Sequence, residues 1–271
     1  MKDDLRGGGL VGASPHPESS FLGLLSALEL TPSFPQTSST AAGLTVNGLG
    51  AQEGTTVLAL RYAQGVAMVG DRQATEGYLV AHRRIQKVFS GDDFSAVAVS
   101  GTAGLALEMV RLFQTELEHY EKLEGVRLSL DGKANFLARI VRQQLPLAFE
   151  GLAVVPLFAG FDQIAGSGRL YTFDIVGGRY EEIDYGATGS GGRDAKAYLR
   201  ASFVPDAPEP EALAIGLRAL VAAAEEDTAT AGPDLRRGIY PTVVTVTAEG
   251  FREVPETDVA AIAAAAVEAV R

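Results

Sequence analysis

Gly54-Thr-Thr-Val-Leu-Ala-Leu-Arg-Tyr-Ala-Gln-Gly-Val-Ala-Met-Val-Gly-Asp-Arg72 is the stretch on which the fold turns. Thr55–Ala63 and Val66–Arg72 are β-rich runs, and Gln64-Gly65 between them is a hairpin signal, so two antiparallel strands are expected. Folding the hairpin about Gln64 opposes residues whose numbers sum to about 128. Val57 then faces Asp71, and Thr55 faces position 73. Diagonal neighbours on one face lie about 7–8 Å apart, which puts Asp71 one diagonal step from Thr55 on its side of the sheet.

Downstream, short strands are expected around Tyr78–Arg83, Ile85–Ser90 and Phe94–Val99, then helices at Thr102–Leu123 and Lys133–Phe149. The first helix carries Leu105, Val110, Phe113, Leu117 and Tyr120 at helical spacing, the second Phe136, Ile140 and Val141. Strands return at Val154–Phe161, Leu170–Val176 and Arg179–Tyr185. Helices near Asp194–Phe203 and Pro210–Asp227 follow, the second opening on a proline. Strands at Tyr240–Thr247 and Phe251–Val254 precede an alanine-rich helix from about Thr257 to Val270. Segregated blocks of strands and helix pairs argue for antiparallel sheets rather than a doubly wound parallel one. The expected fold is α+β: a four-layer α/β/β/α sandwich of two antiparallel sheets, with a helix pair on each outer face.

Upstream of Thr55 the composition changes. Residues 1–54 hold Gly7-Gly-Gly9, Ser14-Pro-His-Pro17, Pro32-Ser-Phe-Pro35 and Thr37-Ser-Ser-Thr40, too little apolar surface to offset ordering entropy. A flexible leader is expected, with one apolar stretch at Phe21–Leu28. That stretch follows the acidic Asp3 and Asp4 and runs into Glu29, whereas a secretory signal wants a basic start and a small-residue cleavage site.

Composition narrows the chemistry. The net charge of −11 argues against a nucleic-acid or anionic-membrane surface. The chain has no cysteine and three histidines, His16, His82 and His119, so thiolate chemistry is excluded and a multi-His zinc site is not expected. No apolar run approaches the roughly 18 residues of a membrane span. The expectation is a cytoplasmic protein with no cofactor and no metal, working through hydroxyls, carboxylates, lysines and amines.

Lys87 follows Asp71 within the apolar run Ile85-Gln-Lys-Val-Phe89. An ammonium there must reach solvent or a carboxylate, because burying an unpaired charge is costly. Two readings fit: an ordinary Asp71–Lys87 salt bridge beside a strand that starts at Thr55, or a catalytic set. Gly54 favours the second. Cutting the Gly54–Thr55 bond would leave Thr55 with a free amine beside its hydroxyl. An α-amino group has a pKa near about 7.7–8, so it can take the hydroxyl proton directly or through water. Threonine with its own amine is a recognised nucleophile–base unit. Lys87 as an ammonium would lower the cost of the alkoxide, with Asp71 holding it in place. Gly101, in Val99-Ser-Gly-Thr102, could offer its N–H to a tetrahedral oxyanion.

At these residues the sequence resembles proteasome β subunits of the actinobacterial type. The matching stretches are Gly54-Thr-Thr-Val57, Gly70-Asp-Arg72, Lys87-Val-Phe89 and Ser100-Gly-Thr-Ala103. Further matches are Glu116-Leu-Glu-His-Tyr-Glu-Lys-Leu-Glu-Gly125, Gly189-Ser-Gly191 and Asp227-Thr-Ala-Thr-Ala-Gly-Pro-Asp234. Each fragment alone is weak, while the combination, spread over nearly all of residues 54–250, is specific. The resemblance implies an N-terminal-nucleophile hydrolase fold and a threonine endopeptidase that degrades unfolded or tagged proteins inside a ring chamber. It implies a propeptide, residues 1–54, removed autocatalytically at Gly54–Thr55, and a mature catalytic domain, residues 55–271. Thr55 would be the nucleophile, Asp71 and Lys87 its partners. Ser190, Asp227 and Thr230 would lie near the threonine amine, Thr230 supplying the second hydroxyl. Backbone atoms of Thr75, Gly101 and Ala103 would pair with substrate as an added strand. Ala74, Ile85, Val99 and Ala103 would shape an apolar pocket favouring a hydrophobic residue before the cut. The implied partners are proteasome α-type subunits and other copies of the chain in stacked seven-membered rings, a regulatory ATPase ring, and polypeptide substrates.

Other readings stand beside this one. An inactive structural β-type ring subunit would ordinarily have lost the threonine or its partners, and here all three are present. Another N-terminal-nucleophile amidase would cut small amides rather than casein or fluorogenic peptides. A related two-ring bacterial protease also begins with two threonines but resembles the chain less and lacks so long a leader. A binding module would keep its function in Thr55→Ala. Gly189-Ser-Gly-Gly192 lacks the full glycine fingerprint of a nucleotide loop, and His119, among charged helix residues, reads as a surface or ring-contact position.

Overall fold

The computed structural model describes residues 54–76 and 79–270. The leader ahead of Gly54, with Phe21–Leu28, lies outside the described residues, as does Tyr78 at the start of one expected strand. Strands β1 (Thr56–Tyr62) and β2 (Gly65–Gly70) form the expected hairpin, joined by Ala63-Gln64. This two-residue loop shifts the register by one: Val57 pairs with Gly70 and Tyr62 with Gly65. Asp71 N–H donates to the Thr56 carbonyl at 3.1 Å. Asp71 therefore stands opposite Thr56, not Val57. Side chains alternate along a strand, so the slip changes which face a residue shares with its partner. Strand β2 stops at Gly70, and Asp71-Arg72-Gln73 leaves the ladder altogether.

The next segment departs further from the pattern. Strands β3 (Ala74–Glu76) and β4 (Leu79–His82) make a separate two-stranded ribbon, of which only β4 was expected. Strand β5 (Val88–Asp92) begins after Lys87, so Ile85-Gln-Lys87 is irregular backbone. It is tied at both ends: Ile85 N–H donates to Arg72 O at 3.0 Å, and Val99 N–H to Lys87 O at 3.0 Å. Strand β6 (Ser95–Gly101) runs into α1 (Ala103–Glu124), which ends at Gly125 with φ 68°. Met109, Val110, Phe113 and Leu117 of α1 are buried, whereas Tyr120, expected on the same stripe, is exposed.

The helix expected over Lys133–Phe149 is two. Helix α2 (Leu130–Gln143) starts earlier because the Ser129 hydroxyl accepts the Gly132 N–H. Pro146 has no N–H and its ring clashes with the carbonyl four residues back, so a short α3 (Leu145–Phe149) continues separately. Strands β7 (Val154–Asp162) and β8 (Ser167–Phe173) follow. The latter ends at Asp174, whose carboxylate accepts the N–H groups of Val176 and Gly178 and closes a turn inside the expected Leu170–Val176 strand. The single strand expected over Arg179–Tyr185 is also two: β9 (Arg179–Glu182) edges one sheet and β10 (Tyr185–Gly189) edges the other. Helices α4 (Gly192–Ser202) and α5 (Glu209–Glu226), strands β11 (Thr242–Thr247) and β12 (Gly250–Glu253), and helix α6 (Glu256–Val270) lie close to their expected bounds.

The sheets are ordered β10-β1-β2-β11-β12 and β5-β6-β7-β8-β9, with every pairing antiparallel. Alternation along the strands assigns the layers. Leu58 and Leu60 of β1 pack with Leu199 of α4 and Leu213, Leu217 and Leu220 of α5. Val57 and Ala59 point the other way, to Ala96, Ala98, Leu157 and Leu170 of the second sheet. Val97, Val99, Phe158 and Tyr171 on that sheet's outer face meet Met109, Phe113, Leu137 and Ile140 of α1 and α2. Three apolar interfaces thus separate four layers, and the α+β sandwich expected from the block order is the architecture found. Strand β1 is buried on both faces, which is why it reads as a continuous apolar run.

Candidate active site

The site forms where the first strand of the hairpin begins. Thr55 and Thr56 are both buried, and Thr55 is held by the opposite edge strand: its carbonyl accepts the Ser190 N–H at 2.9 Å. This contact requires glycine at 189. Its φ is 99°, and a Cβ there would lie 1.8 Å from the Thr55 carbonyl oxygen.

Asp71 and Lys87 reach the same place from irregular backbone. The Lys87 side chain is 6% exposed and that of Asp71 0%, with Nζ 2.6 Å from Asp71 Oδ1. The same ammonium donates to the Gln73 carbonyl at 2.5 Å and to the Gly54 carbonyl at 3.4 Å. Asp71 Oδ1 also accepts the Thr56 N–H, and Oδ2 that of Gln73, each at 3.0 Å. Burial pushes the Asp71 carboxyl above its ordinary range, against the Lys87 ammonium and the two N–H groups, which favour the charged form. The register error noted above did not remove Asp71 from the site. Leaving the ladder lets its carboxylate reach back past the strand end to Thr56 N and across to Lys87.

A second carboxylate completes the surroundings. Asp227, just after α5, accepts the hydroxyls of Ser190 and Thr230 at Oδ2, 2.5 and 2.6 Å away, and the Ala229 N–H at Oδ1, 3.1 Å away. Burial works to raise the Asp227 carboxyl, but the hydrogen bonds from Ser190, Thr230 and Ala229 outweigh it, so the group sits below its usual value. Ser190 Oγ also approaches the Thr55 carbonyl at 3.4 Å.

Thr55, Ala74, Ile85, Lys87, Val99, Gly101 and Ala103 line one pocket, joined by Ala106 and Leu107 from the first turns of α1. Its free volume is about 20 Å³, close to what one water needs. Gly101 adopts φ 104°, and a Cβ on it would lie 2.0 Å from the Ala153 carbonyl oxygen, so only glycine fits. The start of α1 at Ala103 brings the positive end of its dipole to this wall. Thr75 stands behind Gly54, its hydroxyl accepting the Gly54 N–H at 2.9 Å. The structure therefore gathers Gly54, Thr55, Asp71, Ala74, Thr75, Ile85, Lys87, Val99, Gly101, Ala103, Ser190, Asp227 and Thr230 around one peptide bond. His119 and His82 are exposed and lie outside this group.

Four participants escaped the sequence reading. Gln73 contributes only its carbonyl, Thr56 its hydroxyl and N–H, Gly191 its N–H to Thr56 Oγ1 at 2.9 Å, and Ala229 a wall against Gly54. None carries a charge. Thr56, Gly191 and Ala229 lie inside matched stretches, Gly54–Val57, Gly189–Gly191 and Asp227–Asp234, but no role attached to them there, and Gln73 had no signal at all. Among the described residues no cluster of His, Cys, Asp and Glu could hold a metal, and no helix is long and apolar enough to cross a membrane.

The family model described as "Proteasome subunit" matches residues 51–233. The chain is 54% identical over 225 residues to a proteasome subunit beta of Acidimicrobium ferrooxidans, covering 82% of each. It is 52% identical over 218 residues to a proteasome subunit beta 2 of Thermomonospora curvata, covering 80% of this chain and 78% of the relative. A proteasome subunit beta of Stackebrandtia nassauensis is 50% identical over 226 residues, 82% of this chain and 81% of its own.

Proposed function

The chain belongs to the proteasome subunit family, and on that premise we propose that it is a β-type threonine endopeptidase subunit that activates itself by cutting between Gly54 and Thr55. The observation that carries the proposal is the position of Lys87: an ammonium held by Asp71 and 3.4 Å from the carbonyl oxygen of Gly54, beside Thr55 in the same pocket.

In the precursor the Thr55 nitrogen is a peptide amide and cannot act as a base. The Thr55 hydroxyl attacks the Gly54 carbonyl carbon while Lys87 stabilises the negative charge that develops, and the hydroxyl proton passes through water to the Thr55 nitrogen as the C–N bond breaks. Water then hydrolyses the ester, releasing residues 1–54 and leaving residues 55–271 with a free amine. That amine becomes the general base for the next substrate. Gly101 N–H faces the oxyanion, and the substrate lies as a strand between Thr75 and the Gly101–Ala103 turn. The lining of Ala74, Ile85, Val99 and Ala103 supports an apolar residue before the cut. Ser190, Asp227 and Thr230 hold the amine.

Family membership supports assembly with other proteasome subunits. In finer detail we place the chain in the inner seven-membered rings of a cytoplasmic particle, with α-type subunits outside and an ATPase ring feeding polypeptides in. Intact-mass analysis after coexpression with an α-type subunit tests the scheme. The expected product begins at Thr55 and cuts casein and fluorogenic peptides, and Lys87→Ala blocks both steps. Activity with the leader retained would refute self-cleavage, and normal processing in Lys87→Ala would make Lys87 structural only.

A further inference from the structure

Thr56 takes no part in the chemistry above, yet it is wholly buried and touches both charged halves of the site. Its N–H donates to Asp71 Oδ1, the oxygen that holds Lys87. Its hydroxyl oxygen lies 2.9 Å from Gly191 N and 2.6 Å from Thr230 Oγ1. Glycine at 191 is what allows this approach, since a Cβ there would meet Thr56 Oγ1 at 2.7 Å and Thr230 Oγ1 at 2.9 Å.

The protons in this chain can be assigned by counting. A backbone N–H only donates, so Thr56 Oγ1 accepts from Gly191. An ionised carboxylate only accepts, so the Thr230 proton points to Asp227 Oδ2 at 2.6 Å. Thr230 has no second proton, and its contact with Thr56 must be Thr56 O–H donating to Thr230 Oγ1. The order is Gly191 N–H, Thr56 O–H, Thr230 O–H, Asp227 carboxylate. Ser190 O–H closes on the same carboxylate oxygen from the other side.

We propose that Thr56 is a positioning residue, whose hydroxyl completes a one-way hydrogen-bond chain that holds Asp227 and Ser190 against the Thr55 nitrogen. The proposal rests on the peptidase reading. With its proton committed to Asp227, Ser190 can only accept from the freed Thr55 amine, which leaves the amine lone pair for the Thr55 hydroxyl proton. Donation from Thr56 polarises the Thr230 O–H and strengthens its bond to Asp227, drawing charge out of the carboxylate. The charged groups the structure brings to this site are Asp71 after β2, Lys87 before β5 and Asp227 after α5. Restoring negative charge to Asp227 stabilises the ammonium form of the amine, so loss of the Thr56 hydroxyl raises the amine pKa.

The test uses the assembled particle and a fluorogenic peptide with an apolar residue before the cleavable amide. In Thr56→Val, kcat should fall about tenfold, the scale of one aligned hydrogen bond, with KM changed less than about twofold because the pocket is untouched. The acid limb of the kcat profile should move to higher pH. Thr56→Ser should restore most of the rate and the limb. In a Thr230→Val background the Thr56→Val change should add little. An unchanged rate and limb in Thr56→Val, a Thr56→Ser as slow as Thr56→Val, or additive losses in the double variant would each overturn the proposal. A Thr56→Val that does not fold is replaced by Thr56→Ala. If only Thr56→Ser folds, or if it too fails, the hydroxyl or the shape serves stability alone and the proposal falls. A wild-type particle that cuts no peptide sinks the peptidase reading instead, a separate result.

Discussion

Replacing Lys87 by Met leaves the Asp71 carboxylate buried without its counter-charge. Lys87 Nζ lies 2.6 Å from Asp71 Oδ1 and the two side chains are 6% and 0% exposed, so neither water nor another cation replaces the ammonium. Breaking such a buried pair from one side costs about 3–5 kcal/mol. For a domain of this size each kcal/mol moves Tm by about 2–4 °C, so a fall of about 6–20 °C is expected. All proteins compared carry Thr55→Ala, so that the unprocessed chain is measured throughout. Adding Asp71→Asn removes the stranded charge and should recover more than half of the loss. It does not recover all, because the amide nitrogen cannot accept the Gln73 N–H that Oδ2 accepts at 3.0 Å. The pH dependence has a definite sign. Burial already raises the Asp71 carboxyl, and removing Lys87 raises it further. A carboxyl whose folded-state pKa exceeds its unfolded value of about 3.9 destabilises the fold when charged, and the penalty disappears as pH falls through the folded value. The deficit of Lys87→Met should therefore shrink from pH 8 to pH 5, a recovery that the double variant, with no carboxyl at 71, does not show. Calorimetry or urea unfolding at the two pH values reads both. A loss under about 1 kcal/mol at pH 8, or a deficit unmoved by acid, would refute the ion-pair reasoning.

Gly54→Ala should slow self-cleavage at least about tenfold without unfolding the chain, since a Cβ there falls 1.9 Å from Ala229 Cβ and displaces the bond from Lys87; time-resolved intact mass measures it, and an unchanged rate would show that the slot is loose. Gly189→Ala should destabilise the chain by more than about 1–2 kcal/mol, because φ is 99° and the new Cβ would sit 1.8 Å from Thr55 O; a wild-type urea midpoint would contradict that contact. The Asp227 carboxyl lies below its ordinary range, so its contribution to stability is present above about pH 4 and is lost as pH falls through the folded value. Urea midpoints of wild type and Asp227→Asn should thus differ at pH 6 and converge on acidification, and a constant gap would count against the hydrogen bonds from Ser190 and Thr230.

The block order of strands and helix pairs was enough to read the sandwich, because amphipathic elements in that order have few ways to bury every apolar stripe. Element bounds failed where a local hydrogen bond or a proline intervened: at Ser129, which starts α2 early, at Pro146, which splits a helix, and at Asp174, which turns the chain inside an apolar run. The split of Arg179–Tyr185 between two sheets had no local signal, since both halves are equally able to pair.

Ser190, Asp227 and Thr230 were read only through the family resemblance. Residue chemistry alone pointed to a hydroxyl after a glycine at 54–55, an acid and a base at 71 and 87 that must not be buried apart, and a glycine where a strand ends at 101. These follow from the cost of unpaired charge and from the chemistry of an amine beside a hydroxyl, both properties of residue types. The hairpin register, the reach of Asp71 beyond its strand, and the contacts of Gln73, Thr56 and Ala229 were decided by tertiary structure alone. Backbone carbonyls, a neutral hydroxyl and a methyl wall gain their roles from what stands within about 3 Å of them, and that depends on how the edge strand β10 and the end of α5 are brought against β1 across more than a hundred residues of intervening chain.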